Sequence, residues 1–266
     1  MWKRFALLLF IVAVVSVSAS VSGIMGPPTA ELLEGQWSVG YNFMNSEADL
    51  GTTSIKWNVY NNVGVIVNDG VANDEIEDFN IARHYGTFSY GLSDLWEVYF
   101  QVGFVEAETG LVDGISGTRT ELDFDNDLAW GWGTRITLCE KDNVRWGTSL
   151  QMNWLDISAD VVDASQKTTY EFETMDLLIS FGPTVDMGGW QLYGGPFYYS
   201  MSGDYSEYGG DFGNLTWDGK ADLENESNFG GFIGAQIPLW DNTDMVAEVS
   251  FTGDSWAVGT GITWKF

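Results

Sequence analysis

Trp256-Ala-Val-Gly-Thr-Gly-Ile-Thr-Trp-Lys-Phe266 ends the chain as a strand with two unlike faces. Trp256, Val258, Thr260, Ile262, Trp264 and Phe266 alternate onto one face, and Ala257, Gly259, Gly261, Thr263 and Lys265 onto the other. A soluble chain rarely finishes in so apolar a strand without a polar tail. A strand with lipid against its bulky face and a polar, crowded interior behind it has this pattern.

The same alternation recurs upstream. Trp96, Val98, Phe100, Val102 and Phe104 oppose Glu97, Tyr99 and Gln101. Leu128, Trp130, Trp132, Ile136 and Leu138 oppose Gly131, Gly133 and Arg135. Trp146, Leu150, Met152 and Trp154 oppose Arg145, Ser149, Gln151 and Asn153. Met175, Leu177, Ile179 and Phe181 oppose Asp176 and Ser180, and Met245, Ala247, Val249 and Phe251 oppose Glu248. Tryptophans gather near the strand ends, as in the aromatic belts of membrane proteins. The pattern predicts ten strands, near 36–45, 79–90, 95–106, 127–138, 145–156, 170–182, 189–201, 227–238, 244–252 and 256–266. About ten residues at ~3.3 Å rise and ~45° tilt cover roughly 23 Å, close to the apolar band of an outer membrane.

Short turns alternate with long polar segments. The turns are Gly91–Asp94, Glu140–Asn143, Asp186–Gly189 and Asp241–Asp244, with Gly253-Asp254 a tight turn on the opposite side. The long segments, 46–78, 106–127, 156–173 and 202–226, hold 26 of the 38 acidic residues and one basic residue each: Lys56, Arg119, Lys167 and Lys220. They are read as outer loops of an all-β, antiparallel, up-and-down transmembrane barrel. Ser54–Tyr60 and Val63–Asn68 are a candidate extra hairpin, giving twelve strands or rising above the membrane within a long loop.

On these residues the chain resembles the small outer-membrane β-barrel proteins of Gram-negative bacteria. Trp256, Val258, Ile262, Trp264 and Phe266 resemble the terminal signal read by the barrel assembly machinery, and the hairpin Tyr90–Val98 resembles their periplasmic hairpins. The resemblance covers residues 36–266 as architecture. It implies the outer membrane as location and outer-membrane lipid and lipopolysaccharide as surroundings, and is nearly silent on activity.

Residues 1–19 read as a cleaved signal peptide: Lys3 and Arg4, then the apolar run Phe5–Val15, then small residues to Ala19. Residues 20–35, with Pro27-Pro28, are expected to be a short periplasmic lead. Cys139 is the single cysteine and forms no intrachain disulfide. The net charge of −27 excludes nucleic acid as a partner, because phosphate binding needs clustered Lys and Arg. An aromatic content of 15% argues against disorder.

Candidate sites are few. The expected lumen set is Arg83, Glu97, Gln101, Arg135, Arg145, Gln151, Asn153, Asp176, Glu248 and Lys265. In a narrow barrel these charges must pair, since a buried unpaired charge is costly. About eight strands leave room only for side chains and open porins need roughly 16–18, so ten predict a plugged or very narrow lumen. With Arg83 and Tyr85 toward the lumen, His84, the one histidine, is expected to face lipid or an interface and has no evident partner for base catalysis. Asp123, Asp125 and Asp127 resemble the start of a calcium loop, but Leu128 and Thr134 stand where Gly and Glu are required. A loosely held Ca²⁺ or Mg²⁺ is the remaining metal expectation, and no other cofactor is expected. The leading functional expectation is a non-enzymatic barrel with a structural or surface-interaction role. A narrow cation-selective pore is the alternative, followed by an outer-membrane hydrolase.

Overall fold

The computed structural model describes residues 23–48, 51–112, 117–162, 166–211, 215–224, 228–253 and 255–266, so the expected signal peptide lies outside the described residues. The strands are β1 (Trp37–Ala48), β2 (Gly51–Tyr60), β3 (Ile66–Ser93), β4 (Trp96–Val112), β5 (Arg119–Lys141), β6 (Val144–Val162), β7 (Gln166–Asp186), β8 (Gln191–Asp211), β9 (Thr216–Glu224), β10 (Phe229–Trp240), β11 (Thr243–Phe251) and β12 (Ser255–Lys265). All their pairings are antiparallel.

The sheet closes twice. In the lower half, β12 pairs with β1 and β1 with β3, which completes the expected ten-stranded ring of β1, β3–β8 and β10–β12. Trp37 and Phe266 exchange backbone hydrogen bonds at this seam. Above it, two long strands change neighbours. β3 leaves β1 beyond Phe79 and pairs with β2 over Ile66–Ile76. β8 leaves β10 beyond Tyr198 and pairs with β9 from Ser202. Since β2 pairs with β9 over Lys56–Tyr60, the upper wall is a second ring of eight strands, β2–β9. Asp78, at φ 52°, sits in the register shift where β3 changes partner. The candidate hairpin therefore rises above the ten-stranded wall and does not widen it.

The two rings have opposite polarity. In the lower ring Phe100, Val102, Phe104, Leu128, Trp130, Trp132, Ile179 and Phe181 face outward and are exposed, while Glu97, Gln101, Gln151, Asn153 and Asp176 face inward and are buried. In water this outer face would be an apolar patch far beyond what a soluble monomer displays. In the upper ring Ile55, Ile76, Phe79, Leu122, Phe124, Ile157, Phe172 and Tyr205 fill the interior. Glu106, Glu108, Glu121, Asp123, Asp156, Glu173, Asp204 and Asp222 stand exposed outside. Alternation continues unbroken along β6: outward Trp154 gives way to Asp156, and inward Asn153 to Leu155 and Ile157. The inversion marks where lipid ends and water begins.

This corrects the sequence expectation for 46–78, 106–127, 156–173 and 202–226. Those segments are mostly strand, continuing the barrel wall above the membrane. Many of their acids, Glu106, Glu108, Asp156, Glu173, Asp204 and Asp222 among them, alternate outward over an apolar interior as in a water-soluble barrel, while Asp74 is buried.

The short lower turns match the expected ones. Asp142 (φ 55°) and Asn242 (φ 64°) adopt left-handed backbone there, which Asp and Asn tolerate better than other non-glycine residues.

Candidate functional site

The ten-stranded ring is filled from within by the chain's own N-terminal segment. Residues 20–35 were expected as a periplasmic lead. Instead, Ile24, Met25, Thr29, Ala30 and Leu32 are buried inside the barrel. This strap descends from Gly23, beside Gln151, Gln101 and Tyr85, to Gly35 at the lower rim, where Gly35 N–H donates to Gly91 O.

Each level of the strap has a wall partner. The Glu248 carboxylate accepts the N–H of Met25 and of Gly26, each at 2.9 Å. Arg135 donates to Met25 O at 3.1 Å and pairs with Glu97 at 2.9 Å. Glu97 also accepts Glu31 N–H, at 2.9 Å. Arg145 donates to Ala30 O at 2.7 Å and pairs with Glu31 at 2.7 Å. Thr29 Oγ1 bonds Thr184 Oγ1 at 2.8 Å, and Ala30 N–H donates to Thr137 Oγ1 at 3.1 Å. A strap without regular structure has no backbone ladder of its own, so the wall must supply partners for its polar groups.

Above the strap the polar residues satisfy one another. Arg83 pairs with Asp176 at 3.5 Å, and Asp176 accepts Tyr199 OH at 3.1 Å. Tyr99 OH donates to Gln151 at 2.8 Å, and Gln101 donates to Asn153. Near the lower rim Lys265 pairs with Asp244 at 2.9 Å, and Asp244 accepts Gln236 Nε2. A gap of about 50 Å³ between strap and wall, lined by Asn42, Thr87, Glu97, Arg135 and Lys265 among others, is room for a water or two. Higher still, Phe172 lies 5.8 Å from Phe79, 5.2 Å from Phe124 and 5.0 Å from Tyr205, ring centre to ring centre. The interior is thus blocked twice, by the strap and by this aromatic layer.

Of the residues expected in the lumen, Arg83, Glu97, Gln101, Gln151, Asn153, Asp176 and Glu248 are buried, and Arg135, Arg145 and Lys265 are partly exposed. Further partners, among them Glu31, Thr137, Thr184, Tyr199, Gln236 and Asp244, were not expected. Asp244 and Gln236 were legible: Asp244 shares the phase of Glu248, and Gln236 that of Gly234 and Phe232 on β10. Glu31 carried no signal, because nothing in an irregular lead says that it turns inward.

His84 lies on the outer wall, where Nδ1 and Tyr41 OH are 2.7 Å apart and Phe43 packs on the ring. Cys139 is exposed, opposite Trp146 on β6. Asp123 and Asp127 are not drawn together on a cation: Asp123 is exposed, and Asp127 accepts Ser158 N–H at 3.1 Å. The Asp125 side chain lies outside the described residues, and among those described no group of three or more His, Cys, Asp or Glu is arranged to hold a metal. Ile262, Trp264 and Phe266 of the expected assembly signal are exposed on the outer wall, with Trp256 and Val258 in the same phase on β12.

A closed barrel with an apolar outer belt, a polar interior and an acidic crown is a transmembrane β-barrel of the outer-membrane type. No family profile matches the chain, and no curated protein does. Solved outer-membrane barrels are similar to the chain at low identity. The outer-membrane protein OprG from Pseudomonas aeruginosa is 12% identical with a TM-score of 0.47, over 88% of this chain and 97% of that one. The outer-membrane protease OmpT from Escherichia coli is 11% identical with a TM-score of 0.46, over 93% and 99%. The attachment invasion locus protein Ail of Yersinia pestis is 11% identical with a TM-score of 0.28, over 88% and 100%.

Proposed function

We propose that this protein is a closed, non-enzymatic outer-membrane barrel whose work is done by the acidic ring above the membrane, in a structural or surface-interaction role. The observation that carries this reading is the occupied lumen. A conducting path for ions would need the strap withdrawn and the layer of Phe79, Phe124, Phe172 and Tyr205 parted. The interior polar groups are engaged in holding the strap and each other, and the open hollow at the lower rim is bounded by Glu31, Arg145 and Lys265 in those same contacts. His84 faces away from them and supplies no base to the lumen.

The crown is a cation-attracting surface. Asp156, Glu173, Asp204 and Asp222 lie opposite one another across β6–β9 just above the Trp130–Trp154 stack. Lipopolysaccharide phosphates would meet such a wall only through divalent cations such as Ca²⁺ or Mg²⁺, since like charges repel directly. Potassium release from proteoliposomes tests the reading. The expected rate equals that of protein-free vesicles, and a rate that rises with protein content overturns it in favour of a cation pore.

A further inference from the structure

Two basic residues that the sequence keeps far apart meet in the crown. Segments 46–78 and 202–226 carry one each, Lys56 and Lys220. At the seam that closes the upper ring they are cross-strand partners, Lys56 on β2 directly opposite Lys220 on β9, and both are exposed on the outer wall. Like charges placed directly opposite one another destabilise a sheet. The crown's other two basic residues are neutralised locally, Arg119 by Asp78 and Glu121, and Lys167 by Asp160. Among the described residues neither Lys56 nor Lys220 has an ion pair.

The two lysines border a hollow of about 430 Å³ whose other side is acidic. Asp222 follows Lys220 two residues on, in the same phase of β9. Asp204 on β8 is directly opposite Asp222, and Glu173 on β7 continues that row. Ser206, opposite Lys220, adds a hydroxyl on the lysine side. A simple anion would satisfy the lysines and be repelled by the acids, and a simple cation would do the reverse. A ligand that carries both charges satisfies both sides. Two residues of strand, at ~3.3 Å each, set the Lys220 and Asp222 positions roughly 6.6 Å apart. An α-amino acid holds its ammonium and carboxylate a single carbon apart, too close to serve both rows. Phosphoethanolamine interposes two carbons and an ester oxygen, and its phosphate has oxygens for both lysines.

We propose that the β2–β9 seam is a binding site for a phosphoethanolamine group, with the phosphate between Lys56 and Lys220 and the ammonium against Asp204 and Asp222. The group belongs to a lipid headgroup or to a free ester. Charge-assisted hydrogen bonds from both lysines to the phosphate replace their mutual repulsion. Elsewhere the crown meets phosphate across carboxylates and needs a bridging cation, whereas the seam takes it directly. This deepens the surface-interaction reading and rests on it.

The test uses the full barrel in dodecyl maltoside micelles, which carry neither phosphate nor amine, at low salt. The probe is O-phosphoethanolamine, followed by ³¹P NMR. Inorganic phosphate is expected to bind at least tenfold more weakly than the probe. Lys56→Ala with Lys220→Ala is expected to weaken probe binding more than tenfold and to leave the melting temperature of the ligand-free barrel unchanged or higher, because a repulsion is removed. Asp204→Asn with Asp222→Asn is expected to erase the preference over inorganic phosphate. Nanodiscs separate the two sources. Probe binding lost in phosphatidylethanolamine but kept in phosphatidylglycerol assigns the site to the lipid headgroup, and binding kept in both assigns it to a free ester. No binding by the unaltered barrel, binding no tighter than that of inorganic phosphate, or binding undiminished by the lysine changes would overturn the proposal. Those failures leave the barrel closed, whereas potassium release would defeat the closed-barrel reading without touching this seam.

Discussion

Arg145 and Glu31 meet at 2.7 Å, one from β6 and the other from the strap, and join the wall to the segment it encloses. The Arg145 side chain keeps 23% of its exposure and that of Glu31 only 9%. The pair is therefore weaker than a fully buried one but stronger than a surface contact. Glu31→Ala should lower stability by roughly 1–2 kcal/mol. A double-mutant cycle with Arg145→Ala in urea checks this, and purely additive effects would show that the two are not coupled.

Glu248 holds the upper end of the strap by two backbone N–H groups. Its removal leaves both buried donors without that acceptor, at about 1–3 kcal/mol each. Glu248→Ala should speed exchange of the Met25 and Gly26 amides by more than tenfold, with Glu248→Gln intermediate because a carbonyl oxygen remains. Unchanged exchange at these two amides would mean that the strap is held elsewhere.

Phe172 is fully buried among Phe79, Phe124 and Tyr205 in the upper ring. Phe172→Ala should cost about 3–5 kcal/mol, as large-to-small changes of buried aromatics do. The loss should fall on the crown, with amides of the lower ring still protected in the same denaturant series. Equal loss in both rings would contradict their separate cores.

Asp160 and Lys167 bracket the outer turn between β6 and β7. Lys167 Nζ lies 2.8 Å from Asp160, Thr169 adds a hydrogen bond, and together they hold the Asp160 carboxyl below the usual range. A depressed folded-state value favours the ionised form. Its contribution is complete above the ordinary carboxylate range and disappears as pH falls through the lowered value. Both groups are exposed, so the effect is local. Lys167→Ala should raise the Asp160 titration midpoint in ¹³C NMR, and an unmoved midpoint would remove the pair from the account.

The membrane half was legible because the sequence repeats one signal there, bulky outward and polar inward, on strand after strand. Trp96–Phe104 and Trp146–Trp154 set the phase, and every expected lumen residue followed from it. The upper half was missed because the reading sought that same polarity. Once outward Trp154 becomes Asp156 and inward Asn153 becomes Ile157, the strand has entered water and the alternation changes sense. The β2–β9 pairing, between segments about 160 residues apart, has no local signal at all. The strap was read as periplasmic for a similar reason: its partners Glu248, Arg135 and Arg145 come from three separate strands, and only the closed fold brings them around Met25–Glu31.

Single-channel recording of the refolded barrel in a planar bilayer bathed in KCl tests the closed lumen most directly. The account predicts folded, inserted protein with no current steps, even after the strap is loosened by Glu248→Ala, because the Phe172 layer still closes the upper ring. Discrete, cation-selective steps from the unaltered protein would contradict it.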